Sequence, residues 1–286
     1  MTSSLVRPFL KWPGGKFRLV PTLQSLLPEK THLVEPFVGA GALFLNSAHD
    51  HVAVNDINAD LINLFRLCQT KSELLINDAK KFFVGRYNQE AAYYRLRMRF
   101  NKSKDLWERA LLFLYLNRHG YNGLCRYNSK GLYNVPFGDY IRPYFPQREL
   151  EVFIERAQSV TFECQDYAQF MGSFLQQKRR LDHMTFYCDP PYAPITRTAN
   201  FTGYSAKRFT LDDQRQLATL AKALTNKGAT VLISNHDTPF TREIYKGAKC
   251  KLIEVRRTIS CNISARDKVA ELIACYLPAS SKSQRS

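Results

Sequence analysis

The chain is 286 residues long, 45% hydrophobic, and carries a formal net charge of +16 with a pI near 9.6. Length and apolar share suit one large globular domain or a core with a substantial insertion, and the charge points to a polyanionic partner. No apolar run is long enough to span a bilayer, no basic amphipathic helix has a continuous apolar face, and the N-terminus lacks the apolar core of a signal peptide, so nucleic acid is favoured over a membrane surface.

In chain order, residues 32–35 form a strand candidate, followed by a glycine-containing turn and a helical segment at 42–45. Residues 51–55 are the next strand, and a helix runs from Asp60 to Cys68. This β-α-β opening favours a parallel sheet. Residues 64–150 differ in character: basic helical stretches such as Tyr93-Tyr94-Arg95-Leu96-Arg97-Met98-Arg99 give way to a segment at 117–140 rich in Gly, Asn and Tyr, typical of loops and hairpins. The α/β pattern then resumes with strands at 160–163, 185–188 and 230–234, and two last apolar runs, 251–255 and 269–276, suit a closing antiparallel pair. Residues 278–286 are Ser-rich and basic, as expected of a disordered tail. The predicted division is a catalytic core at 1–63 and 151–277, a recognition insertion at 64–150, and the tail.

Seven scattered cysteines with no CxxC pair argue for a reducing cytosol, against a disulfide frame and against a zinc site. Six histidines without ligand spacing add to the expectation that no metal is used.

Several segments carry chemistry. Glu35-Pro36-Phe37-Val38-Gly39-Ala40-Gly41 lies between a strand and a helix, where glycines let a ligand approach the backbone, and the following strand ends at Asp56, placed to accept ribose hydroxyls. Many structural turns look alike, but the third glycine of the dinucleotide fingerprint is replaced by Phe44, which counts against NAD. Lys11-Trp12-Pro13-Gly14-Gly15-Lys16 lacks the spacing of a phosphate loop; Trp12 is expected in the core, although an indole between two lysines also suits an adenosine or a methionine carboxylate. His119 to Asn128, continuing to Asn134-Val135-Pro136-Phe137-Gly138, is either a surface hairpin with core tyrosines or a reader of bases by stacking and hydrogen bonds; the charge favours the second. Asp189-Pro190-Pro191-Tyr192 leaves a buried strand and presents an acid, free carbonyls and an aromatic ring together, which suits gripping an exocyclic amino group; it is also a common turn composition. Ser234-Asn235-His236-Asp237 ends another strand; neighbours in an extended chain face opposite ways, so a structural or substrate-orienting role is expected rather than a His–Asp pair. Asp166 is either an adenine contact or a loop acid.

Together these pieces resemble the Dam-type bacterial DNA adenine-N6 methyltransferases over nearly the whole chain. The resemblance is carried by residues 9–16, 35–41, 117–127, 134–138 and 189–192, with further segments at 200–202 and 233–237, in the order cofactor motif, recognition insertion, catalytic motif. It implies a Rossmann-like α/β methyltransferase fold, mostly parallel with an antiparallel C-terminal strand. It also implies S-adenosylmethionine as methyl donor, duplex DNA containing GATC as substrate, no membrane partner, a monomer, and a cytoplasmic, nucleoid-associated enzyme. On matching positions, Trp12, Lys16, Phe37, Gly39, Asp56 and Asp189 are expected at the cofactor; Asp189, Pro190 and Tyr192 at catalysis; and Lys11, Tyr121, Asn122, Leu124, Arg126 and Pro136 at DNA. Pro13 departs from the alanine common in the family, Asp267 falls in an otherwise basic stretch, and Gln165-Asp166 differs from the usual acidic pattern. Rivals are the same chemistry on cytosine N4, RNA or a protein amide, a DNA-binding regulator with a defunct site, and a Rossmann oxidoreductase.

Overall fold

The computed structural model describes residues 5–194, 209–255 and 269–279. The family-like segment at 200–202, together with Asp267, Cys261 and most of the tail, lies outside them. The chain divides into two compact units. Described residues of the first fall within Met1–Leu27 and Val38–Gln165, those of the second within Pro28–Phe37, Asp166–Thr202 and Phe209–Ser286.

The first unit holds helices α1 (Val20–Gln24), α2 (Ala42–Leu45), α3 (Ala59–Thr70), α4 (Ser72–Lys80), α5 (Glu90–Lys102), α6 (Leu106–His119) and α7 (Gln147–Ala157). Its strands β2 (His51–Asn55) and β3 (Val160–Glu163) pair in parallel, Val52 opposite Val160. An aromatic cluster forms its core: the Phe153 ring lies 4.9 Å from Phe9 and 4.6 Å from Phe65. The first pair is edge-on and the second tilted, and such ring pairs add to the burial of their area. α6 is buried along almost its whole last three turns, which is why its apolar residues show little amphipathic period. α5 presents Ala92, Tyr93, Leu96 and Phe100 to the interior at helical spacing and leaves its arginines outside.

The second unit contains β1 (His32–Glu35), α8 (Tyr167–Leu175), β4 (Met184–Cys188), α9 (Leu211–Asn226), β5 (Thr230–His236), α10 (Pro239–Ile244), β6 (Lys249–Val255) and β7 (Val269–Tyr276). β4 is parallel to β1 on one side and to β5 on the other, and β7 joins β5 antiparallel with β6 outside it. All five residues of β4 are buried, as expected of a parallel strand covered on both faces. This is the mostly parallel α/β sheet with antiparallel C-terminal strands expected from the sequence. Among the described residues no helix is long and apolar enough to cross a membrane.

Candidate active site

In the first unit the turn before α2 meets the end of β2. Gly39 N–H donates to Asp56 Oδ2 at 3.1 Å and Asn58 N–H to Asp56 Oδ1 at 3.0 Å, so the carboxylate is held by backbone on both oxygens. Burial pushes the Asp56 carboxyl up, against the pull of those N–H groups. The Ile57 N–H adds a third backbone contact that pulls in the same direction as they do. Gly39 has φ +49°, and a Cβ there would lie 2.9 Å from Trp12 Nε1. The Lys11–Lys16 turn and the Gly39 turn thus meet at one indole. Trp12 is half-buried against Gly39 rather than a core residue, a correction to the packing expectation. Lys16 is buried and donates to the Gly14 carbonyl at 3.0 Å.

The hairpin beyond α6 sorts its tyrosines. Tyr133 is 1% exposed, its hydroxyl donating to the Leu124 carbonyl, and Asn101 clamps its backbone on both sides. Tyr127 donates to Asp60 Oδ2 at 2.7 Å, on a carboxylate also gripped by Arg109 through Nε and Nη2 at 2.8 Å each. Tyr121, by contrast, is 49% exposed at the tip, beside Asn122 in the left-handed region at φ +51°. The reading of core tyrosines therefore holds for Tyr133 and Tyr127, while Tyr121 stands exposed. Tyr121 N–H bonds the Pro136 carbonyl, half-buried Leu124 follows, and Arg126 is exposed, its guanidinium set by Asn134 through Nε–Oδ1 at 2.8 Å and Nη2–O at 3.1 Å.

Lys11 belongs to this group. Its backbone exchanges two hydrogen bonds with the Asn117 side chain, at 2.9 and 2.7 Å. Its ammonium sits 4.0 Å over the Tyr140 ring, and its stem lies under Gly123, where a Cβ would overlap the Lys11 Cβ. Burial and the nearby Arg118 lower the Lys11 pKa.

In the second unit, the C-terminal ends of three adjacent parallel strands converge: Glu35 ends β1, Asp189 follows β4, and Asn235 and His236 end β5. Ligands of open α/β sheets bind at this end of the strands. Asp189 is half-buried and Pro190 buried. The Tyr192 ring packs edge-on against His236 at 4.8 Å, and its hydroxyl donates to Glu271 Oε2 at 3.0 Å. Burial, then the charges of Asp189 and Glu271, push the Tyr192 phenol well up, so it stays protonated. Phe37 stacks on Tyr167 at 5.2 Å. Asp166 caps α8 by accepting from Ala168 N–H at 2.9 Å. His236 Nδ1 lies 2.9 Å from the Ala193 carbonyl, whereas Asp237 pairs with Arg242 at 2.6 Å; the two do not act as a pair, as the strand argument required.

Sequence reasoning passed over Gln214, buried in α9 and bonded to the Pro191 carbonyl, and Asn58, which N-caps α3 beside Asp56. The signal for Gln214 was a lone amide in the apolar stripe of Leu217, Ala218, Ala221 and Leu224. Asn58 stood three residues before an apolar helical run, a capping position.

A parallel sheet bearing an Asp-Pro-Pro-Tyr turn, in a chain whose other unit carries a hairpin with exposed Tyr121 and Arg126, defines an amino-directed methyltransferase. A family model described as D12 class N6 adenine-specific DNA methyltransferase matches residues 12–259. The chain is 50% identical over 273 residues to a DNA adenine methylase of Vibrio cholerae, covering 95% of this chain and 96% of that one. It is 49% identical to the DNA adenine methylase of Escherichia coli K12, with the same coverage, and 48% identical to that of Serratia marcescens over 94% of this chain and 98% of the other. The chain belongs to the D12 class of N6 adenine-specific DNA methyltransferases.

Proposed function

We propose that this enzyme transfers methyl from S-adenosylmethionine to N6 of a flipped-out adenine in duplex GATC. The single observation that carries this is the turn after β4, where Asp189, the Pro190 carbonyl and the Tyr192 ring follow one another at the ligand-binding end of the parallel strands.

The adenine amino nitrogen is a poor nucleophile because its lone pair is delocalised into the ring. Asp189 and the Pro190 carbonyl each accept one N6–H, which favours a pyramidal nitrogen with its lone pair free. Tyr192, kept from rotating by Glu271 and His236, stacks on the base and sets its plane. Positioning and preorganised acceptors supply the acceleration. When bound, S-adenosylmethionine supplies an electrophilic sulfonium methyl; the S–CH₃ bond breaks as N–CH₃ forms, and the acidified nitrogen releases its proton to water. In the first unit Asp56 accepts ribose hydroxyls, with Gly39, Trp12 and Lys16 close to the donor; in the second, Phe37 offers a ring face for the adenine moiety and Asp189 a further contact. This donor set fits the group: a carboxylate already oriented by two backbone N–H bonds needs no rearrangement to accept a diol.

Residues 64–150 act as the recognition region and residues 1–63 with 151–277 as the catalytic region. Unstacking a base costs a few kcal/mol, offset by exposed Tyr121 entering the vacated stack and Asn122 meeting the orphaned partner. Arg126 reads a guanine, Leu124 and Pro136 offer apolar contact to a thymine methyl, and Lys11 faces the neighbouring pair. The +16 charge supplies phosphate attraction with steep salt dependence. A monomer suffices, because one chain carries every group named.

The test mixes the purified protein with methyl-labelled S-adenosylmethionine and paired duplexes with and without GATC. Label confined to the GATC duplex is expected. No label in either sinks the proposed donor or reaction, and equal label in both sinks the sequence assignment.

A further inference from the structure

Against the Pro191–Ala193 backbone of the proposed catalytic turn, two buried amides form a polar chain. Gln214 Nε2 donates to the Pro191 carbonyl at 2.8 Å, and Gln214 Oε1 accepts from Asn235 Nδ2 at 2.9 Å. Asn235 Oδ1 accepts from the Ala193 N–H at 3.0 Å and from the His236 N–H at 2.9 Å, while its amide nitrogen also reaches the Tyr245 hydroxyl at 2.9 Å. Both amides are fully buried, at 0% exposure.

The polarity of this chain is forced. The Pro191 carbonyl can only accept and the Ala193 N–H can only donate, so Gln214 must turn its nitrogen to the first and Asn235 its oxygen to the second. The remaining ends then match each other. Burying an amide is unfavourable unless its donors and acceptors are used, and a leucine would complete the apolar stripe of α9 with less to satisfy. The pair instead holds the residues on either side of Tyr192. Its register is set from a distance: Thr210 and Asp213 form a capping box at the start of α9, and Gln214 N–H bonds the Thr210 carbonyl at 3.1 Å.

We infer that Gln214 and Asn235 are positioning residues that fix the Pro191–Ala193 backbone, and through it the Pro190 carbonyl and the Tyr192 ring against the target base. This rests on the proposed catalytic role of Asp189 to Tyr192. Neither amide touches substrate. Both act through the turn, and their loss is felt in the chemical step rather than in binding.

The test compares wild type, Gln214→Glu, Asn235→Asp and Gln214→Met as full chains with a GATC duplex and labelled S-adenosylmethionine. Gln214→Glu keeps the shape but faces a carboxylate oxygen to the Pro191 carbonyl, and Gln214→Met removes the donors without adding charge, so one of the two stands should the other not fold. Single-turnover rates are expected to fall by about 10- to 100-fold, the scale of a misplaced reacting group, with KM for DNA and S-adenosylmethionine close to wild type. A duplex carrying 2-aminopurine at the target should show altered fluorescence in the complex, because the base sits against a shifted Tyr192. Folded variants with wild-type turnover overturn the inference, and so does a loss that appears equally in KM and melting temperature. Asp189→Ala runs alongside: if it stays active, the catalytic assignment fails; if it is inactive while the amide variants are not, only the present inference fails.

Discussion

Asn58 and Cys125 stand 67 positions apart in the chain, yet the Asn58 amide donates to the Cys125 sulfur at 3.4 Å, while the Asn58 backbone N–H bonds Asp56 Oδ1. The same side chain caps α3 by accepting from Asp60 and Leu61 N–H at 3.1 Å each. One residue therefore joins the proposed ribose carboxylate, a helix start and the hairpin that carries Cys125. A thiol is a weak acceptor, so most of the stability lies in the cap. Asn58→Ala should lower unfolding free energy by about 0.5–2 kcal/mol, read by urea denaturation, and should weaken S-adenosylmethionine binding. Cys125→Ala should spare the cap and leave that affinity near wild type.

Gly39→Ala should be a sharper lesion at the cofactor. Its φ of +49° disfavours a side chain, and the new methyl would press on the Trp12 indole. About 1–3 kcal/mol of local strain is expected, seen as a matching loss of S-adenosylmethionine affinity by calorimetry. Trp12→Ala in the same background should recover unfolding free energy by removing the obstruction, without restoring the affinity, because the indole itself faces the proposed donor.

Arg126→Ala should relax preference at one base pair of the site by about 1–3 kcal/mol. The check is kcat/KM on duplexes with each position of GATC substituted in turn. Asn134→Ala, which frees the guanidinium from its two holding contacts, should show a smaller loss at the same position. Unchanged preference in both would remove Arg126 from the reading role.

Stability should fall on acidification. Burial depresses the His119 pKa from 6.5 to about 4, with Arg118 and Lys11 adding to the effect. His49, pushed down by burial and Arg156, has the same sign. The unfolded chain then binds protons that the folded chain refuses, so this contribution is complete above about pH 6.5 and is lost as pH falls toward 4. Thermal melts from pH 8 to 4 should decline through that window, and His119→Gln should flatten the decline.

Much of this was legible in the chain. The strand at 185–188 declared itself as a short, mostly apolar run, one residue short of the observed Met184–Cys188, and the closing pair through two late hydrophobic segments, 251–255 and 269–276. The hairpin tyrosines were not separable, because whether each is buried depends on partners far away: Asn101 for Tyr133, Asp60 for Tyr127. Composition near the hairpin carries no trace of them. Trp12 failed for a related reason, since its neighbour Gly39 has no side chain to pack over it. Gln214 was hidden by its own logic, as a polar residue in an apolar stripe looks like noise until its amide oxygen and nitrogen have addresses.

The two bonds between Lys11 and Asn117, with the lysine stem lodged beneath Gly123, have a practical meaning for engineering. The proposed recognition hairpin is not a cassette. A chimera that exchanges residues 120–138 alone would inherit a loop seated on a foreign amino-terminal strap, and its register would be lost before any base was met. Retargeting such an enzyme calls for transplanting the strap, the helix end and the loop as one unit.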